Sequence, residues 1–339
     1  MNKKELQDLA HLLNSPQNIV VVPHQNPDGD AIGSTLALNR YLNKTGHKAT
    51  VVAPNDYPQF LKWLPQSDEV ILFDSNTEVA SDLIAKAAII FILDFNALHR
   101  SGESMATVLE KSKATFVMID HHQQPDDITK FIYSDVTICS TSQMVYHFID
   151  KLKGLDFIDA AIATCLYTGI MTDTGSFKYN TTTSTTHRVV AELIDKGAKN
   201  SDIHAQVYDT NSFHKIQLLG HILENMKVLK PFNTAYMVLT EADKKAFNFK
   251  KGDSETFVNY GLSIKGINLA VIFIEDNVQG IIKMSFRSKG AFSVNDFARA
   301  HFNGGGHINA AGGRSQDDLE TTIAKFIAVL PQYEADLKF

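Results

Sequence analysis

Two uninterrupted apolar runs, Ala88-Ile89-Ile90-Phe91-Ile92-Leu93 and Thr115-Phe116-Val117-Met118-Ile119, each stop abruptly at an acid. A strand with one face in water alternates apolar and polar residues, and these runs do not. Strands apolar on both sides belong to a parallel sheet covered by helices on either face. Val20-Val21-Val22, Thr50-Val51-Val52-Ala53 and Val70-Ile71-Leu72-Phe73 read as further members, with a helix over residues 31–44 that ends near Gly46. In such sheets ligands bind outside the carboxyl ends of the strands. The residues that follow the runs therefore matter most.

Beyond about Ser140 the spacing turns helical, with apolar three- and four-residue steps over 141–152, 158–171, 184–196 and 213–229. Gly197 reads as a stop and 198–212 as a hinge. After Pro231 a β-rich stretch begins, with strands expected over 235–239, 269–274 and 280–286. At 339 residues a single core is outgrown. The expectation is an α/β chain in three parts. Residues 1–197 form a parallel-sheet domain with helices on both faces, 198–230 a helical linker, and 231–339 a smaller mixed α/β domain.

No apolar run approaches the ~20 residues of a membrane span. Met1 leads into the polar Asn2-Lys3-Lys4-Glu5, unlike a secretory leader. The two cysteines, Cys139 and Cys165, share no short spacing, which fits a reducing cytoplasm. Net charge is −6, and residues before Pro231 carry all of it, 20 basic against 26 acidic. That field argues against gripping long nucleic acid. The acidic part also holds the suspected metal ligands, so divalent cations would offset some of the excess.

Those ligands lie at the ends of the runs. His24-Gln25-Asn26-Pro27-Asp28-Gly29-Asp30 offers three donors from one turn, stiffened by Pro27 and bent at Gly29, with Gly33 and Ser34 in the first turn of the next helix. Asp94 follows the fourth run and suits a bridging carboxylate, with Arg100 six residues on as a planar donor to a phosphoryl oxygen. Asp120-His121-His122 follows the fifth. One imidazole there can ligate, oriented by Asp120 from behind, while the next faces a substrate as donor or acid. Asp173 closes a helical run and completes a mostly oxygen set. Alone, each acid is an ordinary turn or strand-end residue; gathered, they repel unless a cation sits between them. Such a set suits Mn²⁺ or Mg²⁺, with Zn²⁺, Fe²⁺ or Co²⁺ acceptable by ligand type. Further on, Arg287-Ser288 and Asn303-Gly304-Gly305-Gly306-His307, followed by a small-residue helix start, read as a concave anion pocket.

In order and spacing, His24-x-x-x-Asp28-Gly29-Asp30, Asp94, Asp120-His121-His122 and Asp173 resemble the four motifs of the DHH phosphoesterase superfamily. Arg287-Ser288 and the glycine run with His307 resemble the DHH-associated C-terminal domain, over nearly the whole chain. Within the superfamily, length and domain pair are similar to the nanoRNase/pAp-phosphatase group. The resemblance implies one metal at His24, Asp28 and Asp94 and a second at Asp30, Asp94, His121 and Asp173, with Mn²⁺ first and Mg²⁺ or Co²⁺ as alternatives. It places His122, Asp120 and Arg100 at the scissile phosphate. Arg287, Ser288, Gly304, Gly305, Gly306 and His307 would bind the rest of the nucleotide. The family's glycine run is often four long, and here its first position is Asn303.

The expected activity is hydrolysis of short single-stranded RNA or DNA oligonucleotides, or of adenosine 3′,5′-bisphosphate, by metal-activated water. Neither long duplex nucleic acid nor a membrane is expected as a partner, and a homodimer is compatible with the reading. Alternatives are a pyrophosphatase or exopolyphosphatase, a RecJ-type single-strand exonuclease, and a catalytically silent nucleotide-binding regulator.

Overall fold

Burial on both faces decides the first sheet in the computed structural model, which describes residues 1–250 and 252–338. Its strands are β1 (Asn18–Val22), β2 (Lys48–Ala53), β3 (Ile71–Leu72), β4 (Ile89–Leu93), β5 (Thr115–Asp120) and β6 (Phe131–Ser134). They lie in the order β3-β2-β1-β4-β5-β6 with every pair parallel. All five residues of β4 are buried. Val20, Val22, Ile90, Ile92 and Met118 pack on one face with Ile84 and Leu109. Val21, Phe91 and Val117 pack on the other with Leu36, Met144 and Ile170. The continuous runs are continuous because both faces are covered.

The helices of this unit are α1 (Lys3–Leu12), α2 (Gly29–Lys44), α3 (Thr77–Lys86), α4 (Glu103–Glu110), α5 (Thr141–Lys151), α6 (Ala160–Asp173), α7 (Ser184–Asp195) and α8 (Asn200–Tyr208). The strand order reverses between β1 and its neighbour β4, so the crevice beyond their carboxyl ends is the topological switch point. His24 and Asp94 follow those two strands.

Two glycines have a different purpose from the one expected. Gly29 lies inside α2 and its φ is not positive; a Cβ there would stand 2.3 Å from Thr172 Oγ1. Gly33 lies a full turn into α2, where a Cβ would stand 2.5 Å from the Cys165 carbonyl oxygen and 3.0 Å from the Gly169 nitrogen. Both are needed for the close approach of α2 to α6. Gly33 and Ser34 are not first-turn residues, and the amides of Asp30 and Ala31 in that turn already donate to Asp28 Oδ1.

By contact the chain separates into Met1–Thr210 and Asn211–Phe339. Phe339, the last residue of the expected third part, lies outside the described residues. The second unit contains α9 (Phe213–Glu224), β7 (Lys227–Leu229), β8 (Thr234–Leu239), α10 (Glu241–Ala246), α11 (Phe257–Ser263), β9 (Leu269–Asp276) and β10 (Ile281–Ser288). After these come α12 (Val294–His301), β11 (Gly305–His307), β12 (Ala310–Ser315) and α13 (Leu319–Val329). Its mixed sheet runs β11-β12-β10-β9-β8-β7, with β8 and β9 parallel and the remaining pairs antiparallel.

Two expectations fail in this unit. The helix expected over 213–229 ends at Glu224, and Lys227–Leu229 pairs with β8 as an edge strand. The small residues after His307 start no helix. They form β12, and the glycines before them form β11 of the same hairpin. A Cβ at Gly304 would stand 2.0 Å from the Gly312 carbonyl oxygen, and one at Gly306 2.5 Å from that of Ala310. Backbone packed that closely admits only glycine.

Candidate metal centre

Asp94 turns out of β4 with φ of 65°, a left-handed conformation that aspartate tolerates better than most side chains. Its amide still donates to the Ile119 carbonyl at 3.1 Å, so the turn is tied to the end of β5. The carboxylate, 2% exposed, sits amid the other donors. Its Oδ2 lies 3.6 Å from His24 Nε2. Its Oδ1 lies 3.4 Å from His121 Nε2 and 3.7 Å from His122 Nδ1.

Donor atoms of His24, Asp28 and Asp94 all lie within 4.8 Å of one another, as do those of Asp30, Asp94 and His121. Asp94 belongs to both groups. Asp173, at the end of α6, places Oδ2 3.6 Å from His121 Nε2, and Asp30 Oδ2 stands 3.9 Å from the same nitrogen. Asp94, Asp120 and His122 make a third group. Arg100 Nη2 lies 3.4 Å from His122 Nε2. The strand ends, the start of α2 and the end of α6 thus bring together the nine candidate metal and catalytic residues of this unit: His24, Asp28, Asp30, Asp94, Arg100, Asp120, His121, His122 and Asp173.

Hydrogen bonds decide which imidazole nitrogens face the donors. His24 Nδ1–H donates to the Gln25 carbonyl at 2.8 Å, and His121 Nδ1–H to the Ile138 carbonyl at 3.2 Å. In the neutral rings both therefore present the Nε2 lone pair to the carboxylates, the outer-shell arrangement of a ligating histidine. His122 differs. Its Nδ1 lies 2.7 Å from Asp120 Oδ1, and its backbone amide donates to Asp120 Oδ2 at 3.0 Å.

The electrostatics follow from the crowding of these groups. Burial pushes the Asp30 carboxyl up, Asp94 and Asp173 push it further, and His121 and Ser142 only partly oppose them, leaving it well above the usual range. Burial also pushes Asp94 up, but His121 and His24 outweigh it and hold this carboxyl well below. Burial pulls His24 down, and Asp94 with Asp28 overrides it to about 9. His121 is raised likewise, by Asp94, Asp173 and Asp30 against burial. Protons thus collect where positive charge is wanted. A divalent cation answers the same demand, and the donors present fit one.

Sequence reasoning missed the groups that hold these side chains. The first two amides of α5 donate to Asp30, Thr141 to Oδ2 at 2.6 Å and Ser142 to Oδ1 at 2.8 Å. Asn55 and Asn26 clamp the loop after His24: the Asn26 amide donates to Asn55 Oδ1 at 2.7 Å, and Asn55 Nδ2 to Asn26 Oδ1 at 3.2 Å. Ser140-Thr141-Ser142 was a readable signal, since such residues start helices. Asn55 carried none.

In the second unit Arg287 and Ser288 close β10. Arg287 Nη1 donates to the Phe286 carbonyl at 2.9 Å. Ser288 is buried; its hydroxyl donates to the Phe292 carbonyl at 2.6 Å and accepts from Asn309 Nδ2 at 2.9 Å. Asn303 has φ of 45°, and in the hairpin that follows the Gly306 amide donates to Asn295 Oδ1 at 2.9 Å. Arg299 Nε reaches the same oxygen at 3.2 Å. Asn295 and Arg299 were not singled out from the sequence. His307 is half-buried on β11.

A doubly covered parallel sheet with acids and imidazoles gathered at its switch point defines an α/β protein with a candidate two-metal centre. The chain belongs to the DHH family. Residues 18–170 match the DHH family N-terminal domain, and residues 233–335 match the DHHA1 domain. The chain is 32% identical to the bifunctional oligoribonuclease and PAP phosphatase NrnA of Thermus thermophilus, over 91% of this chain and 88% of that one. It is 28% identical to the protein of the same name in Bacillus subtilis, over 96% and 99%. The crystal structure of an exopolyphosphatase-related protein from Bacteroides fragilis superimposes with a TM-score of 0.95 at 39% identity, covering 100% of this chain and 98% of that one. No helix among the described residues is long and apolar enough to cross a membrane.

Proposed function

We propose that this chain is a phosphoesterase that hydrolyses short single-stranded oligonucleotides and adenosine 3′,5′-bisphosphate. The observation that carries this reading is the shared position of Asp94, one oxygen toward His24 and the other toward His121. Full-length relatives named for both activities support the choice of substrate.

One divalent ion would be held by His24, Asp28 and Asp94, and another by Asp30, Asp94, His121 and Asp173; Mn²⁺ suits this oxygen-rich set with some imidazole. When bound, such a pair supplies positive charge at a phosphoryl group and lowers the pKa of a bound water. The chain's own groups do the rest. Asp120 accepts from His122 Nδ1–H and fixes the ring, so that Nε2, with Arg100 Nη2 at 3.4 Å, would meet a phosphoryl or leaving-group oxygen through a proton it carries. Arg100 adds a planar donor beside it.

Residues 1–197 carry these groups, residues 198–230 serve as the linker, and residues 231–339 bind the nucleotide away from the reacting phosphate. Within the last part Arg287, Ser288, Gly304, Gly305, Gly306 and His307 are the binding residues. Two of these glycine amides are already engaged, that of Gly304 with the Ala298 carbonyl at 3.2 Å and that of Gly306 with Asn295 Oδ1 at 2.9 Å, so the glycines would shape the pocket by lacking a side chain and not by offering free amides.

The Bacteroides relative is described as exopolyphosphatase-related, and that favours keeping polyphosphate as a second reading. One panel separates them: di- to decanucleotides, adenosine bisphosphate, pyrophosphate and polyphosphate, each with Mn²⁺, Mg²⁺ and Co²⁺. Turnover of dinucleotides and the bisphosphate is expected. Cleavage of polyphosphate alone, or nucleotide binding without turnover under any metal, would replace this reading.

A further inference from the structure

Thr141 touches both acids at the heart of the two donor groups. Its amide donates to Asp30 Oδ2 at 2.6 Å, and its hydroxyl donates to Asp94 Oδ1 at 2.9 Å. The next amide, of Ser142, holds the other Asp30 oxygen at 2.8 Å. Thr141 and Ser142 are fully buried, so no water competes for these acceptors. The start of α5 is fixed in turn: Ser140 caps the helix by accepting from the Gln143 amide at 3.0 Å.

A carboxylate turns about a broad, two-fold torsion. Asp94 can serve two donor groups only if that torsion is held. The Thr141 hydroxyl holds it, because with Oδ1 engaged there, Oδ2 is directed toward His24 Nε2. Asp30 cannot drift from Asp94, since the same residue anchors both. We infer that Thr141 is a positioning residue for the metal pair. It sets the torsion of Asp94 and the spacing between Asp94 and Asp30 before any cation binds. This rests on the two-metal reading given above.

The cleanest change is Thr141→Val, which deletes the hydroxyl and keeps the branched shape and the amide. Mn²⁺ binding by titration calorimetry, with electron paramagnetic resonance of the loaded protein, reads the result apart from turnover. Outer-shell partners of metal ligands typically contribute about 10–100-fold in affinity. Thr141→Val should lose affinity in that range and give the spectrum of isolated Mn²⁺ in place of a spin-coupled pair. Thr141→Ser should restore both. If Thr141→Val does not fold, Thr141→Ala compared with Thr141→Ser reads the same hydroxyl. A folded hydroxyl-free variant that binds a coupled pair with wild-type affinity would overturn the inference. So would a Ser variant as impaired as Val. If the wild-type protein itself binds no pair of ions, the two-metal reading fails first and takes this inference with it.

Discussion

Gly33 faces Gly169 where α2 crosses α6, so close that a Cβ on Gly33 would stand 3.0 Å from the Gly169 nitrogen. The same crossing carries Asp30, on α2, toward Asp173, at the end of α6. A Cβ on Gly169 would stand 1.9 Å from Ser142 Oγ and 2.8 Å from Asp30 Oδ1. Packing and site geometry are therefore set by the same pair of small residues. Overpacking of this kind costs about 1–3 kcal/mol. Gly169→Ala is expected to lower stability by that order in urea unfolding, and to weaken Mn²⁺ binding more than Gly33→Ala does, because only the former presses on Asp30, a proposed ligand.

Asp120 is fully buried, and its carboxylate accepts both the His122 amide and the His122 Nδ1–H. Asp120→Asn would exchange a charged acceptor for an amide and leave the ring free to adopt the other tautomer. kcat should fall by about 100-fold or more, the usual scale of a positioned proton-transfer group. Mn²⁺ stoichiometry by equilibrium dialysis should not change. Loss of bound metal in this variant would assign Asp120 to the ligand set instead.

Arg287 lies at the end of β10, beside the Ala310 end of the hairpin. Arg287→Ala is expected to raise KM for dinucleotides about 10-fold or more while kcat changes little, the pattern of lost uniform binding. A fall in kcat at unchanged KM would give Arg287 a direct part in the reaction.

Away from the site, Asp159 caps α6 through the Ile162 amide at 2.9 Å and pairs with Arg40 at 3.0 Å and Lys44 at 2.9 Å. Burial pushes its carboxyl up, but Arg40, the Ile162 amide and Lys44 outweigh that and hold it below the usual range. A depressed carboxyl contributes stability that is complete above its unfolded pKa of about 3.9 and is lost as pH falls through the folded value. Wild type should therefore exceed Asp159→Asn by up to about 1 kcal/mol at pH 7, the partly exposed ion pairs alone, since asparagine caps a helix about as well as aspartate. The gap should narrow as pH is lowered through about 4 toward 2. Urea midpoints for both proteins across that range test the sign. A gap that widens with acid would contradict it.

The sheet was legible because strands buried on both faces leave an unbroken apolar run, and the runs ending at Val22, Leu93 and Ile119 fixed where function would lie. β6 was not legible. Its four residues lie at the sheet edge after the exposed residues 123–127, where pairing with β5 rather than composition makes the strand. The glycines misled for a related reason. A sequence shows that Gly29 and Gly33 lack a Cβ, but not that Thr172 and Gly169, well over a hundred residues on, fill the space. The donors could be picked out because acids and imidazoles at strand ends are chemically conspicuous. Thr141, Asn26 and Asn55, which aim those donors, look like ordinary polar residues until the fold sets them beside the donors.

If Asp94 joins two cation sites, anomalous diffraction from crystals grown with MnCl₂ will locate both ions. Two manganese peaks per chain are expected, one among His24, Asp28 and Asp94 and the other among Asp30, Asp94, His121 and Asp173, each touching a different Asp94 oxygen. A single peak, or none, with the Asp94 carboxylate still bound to Thr141, would rule out a shared Asp94.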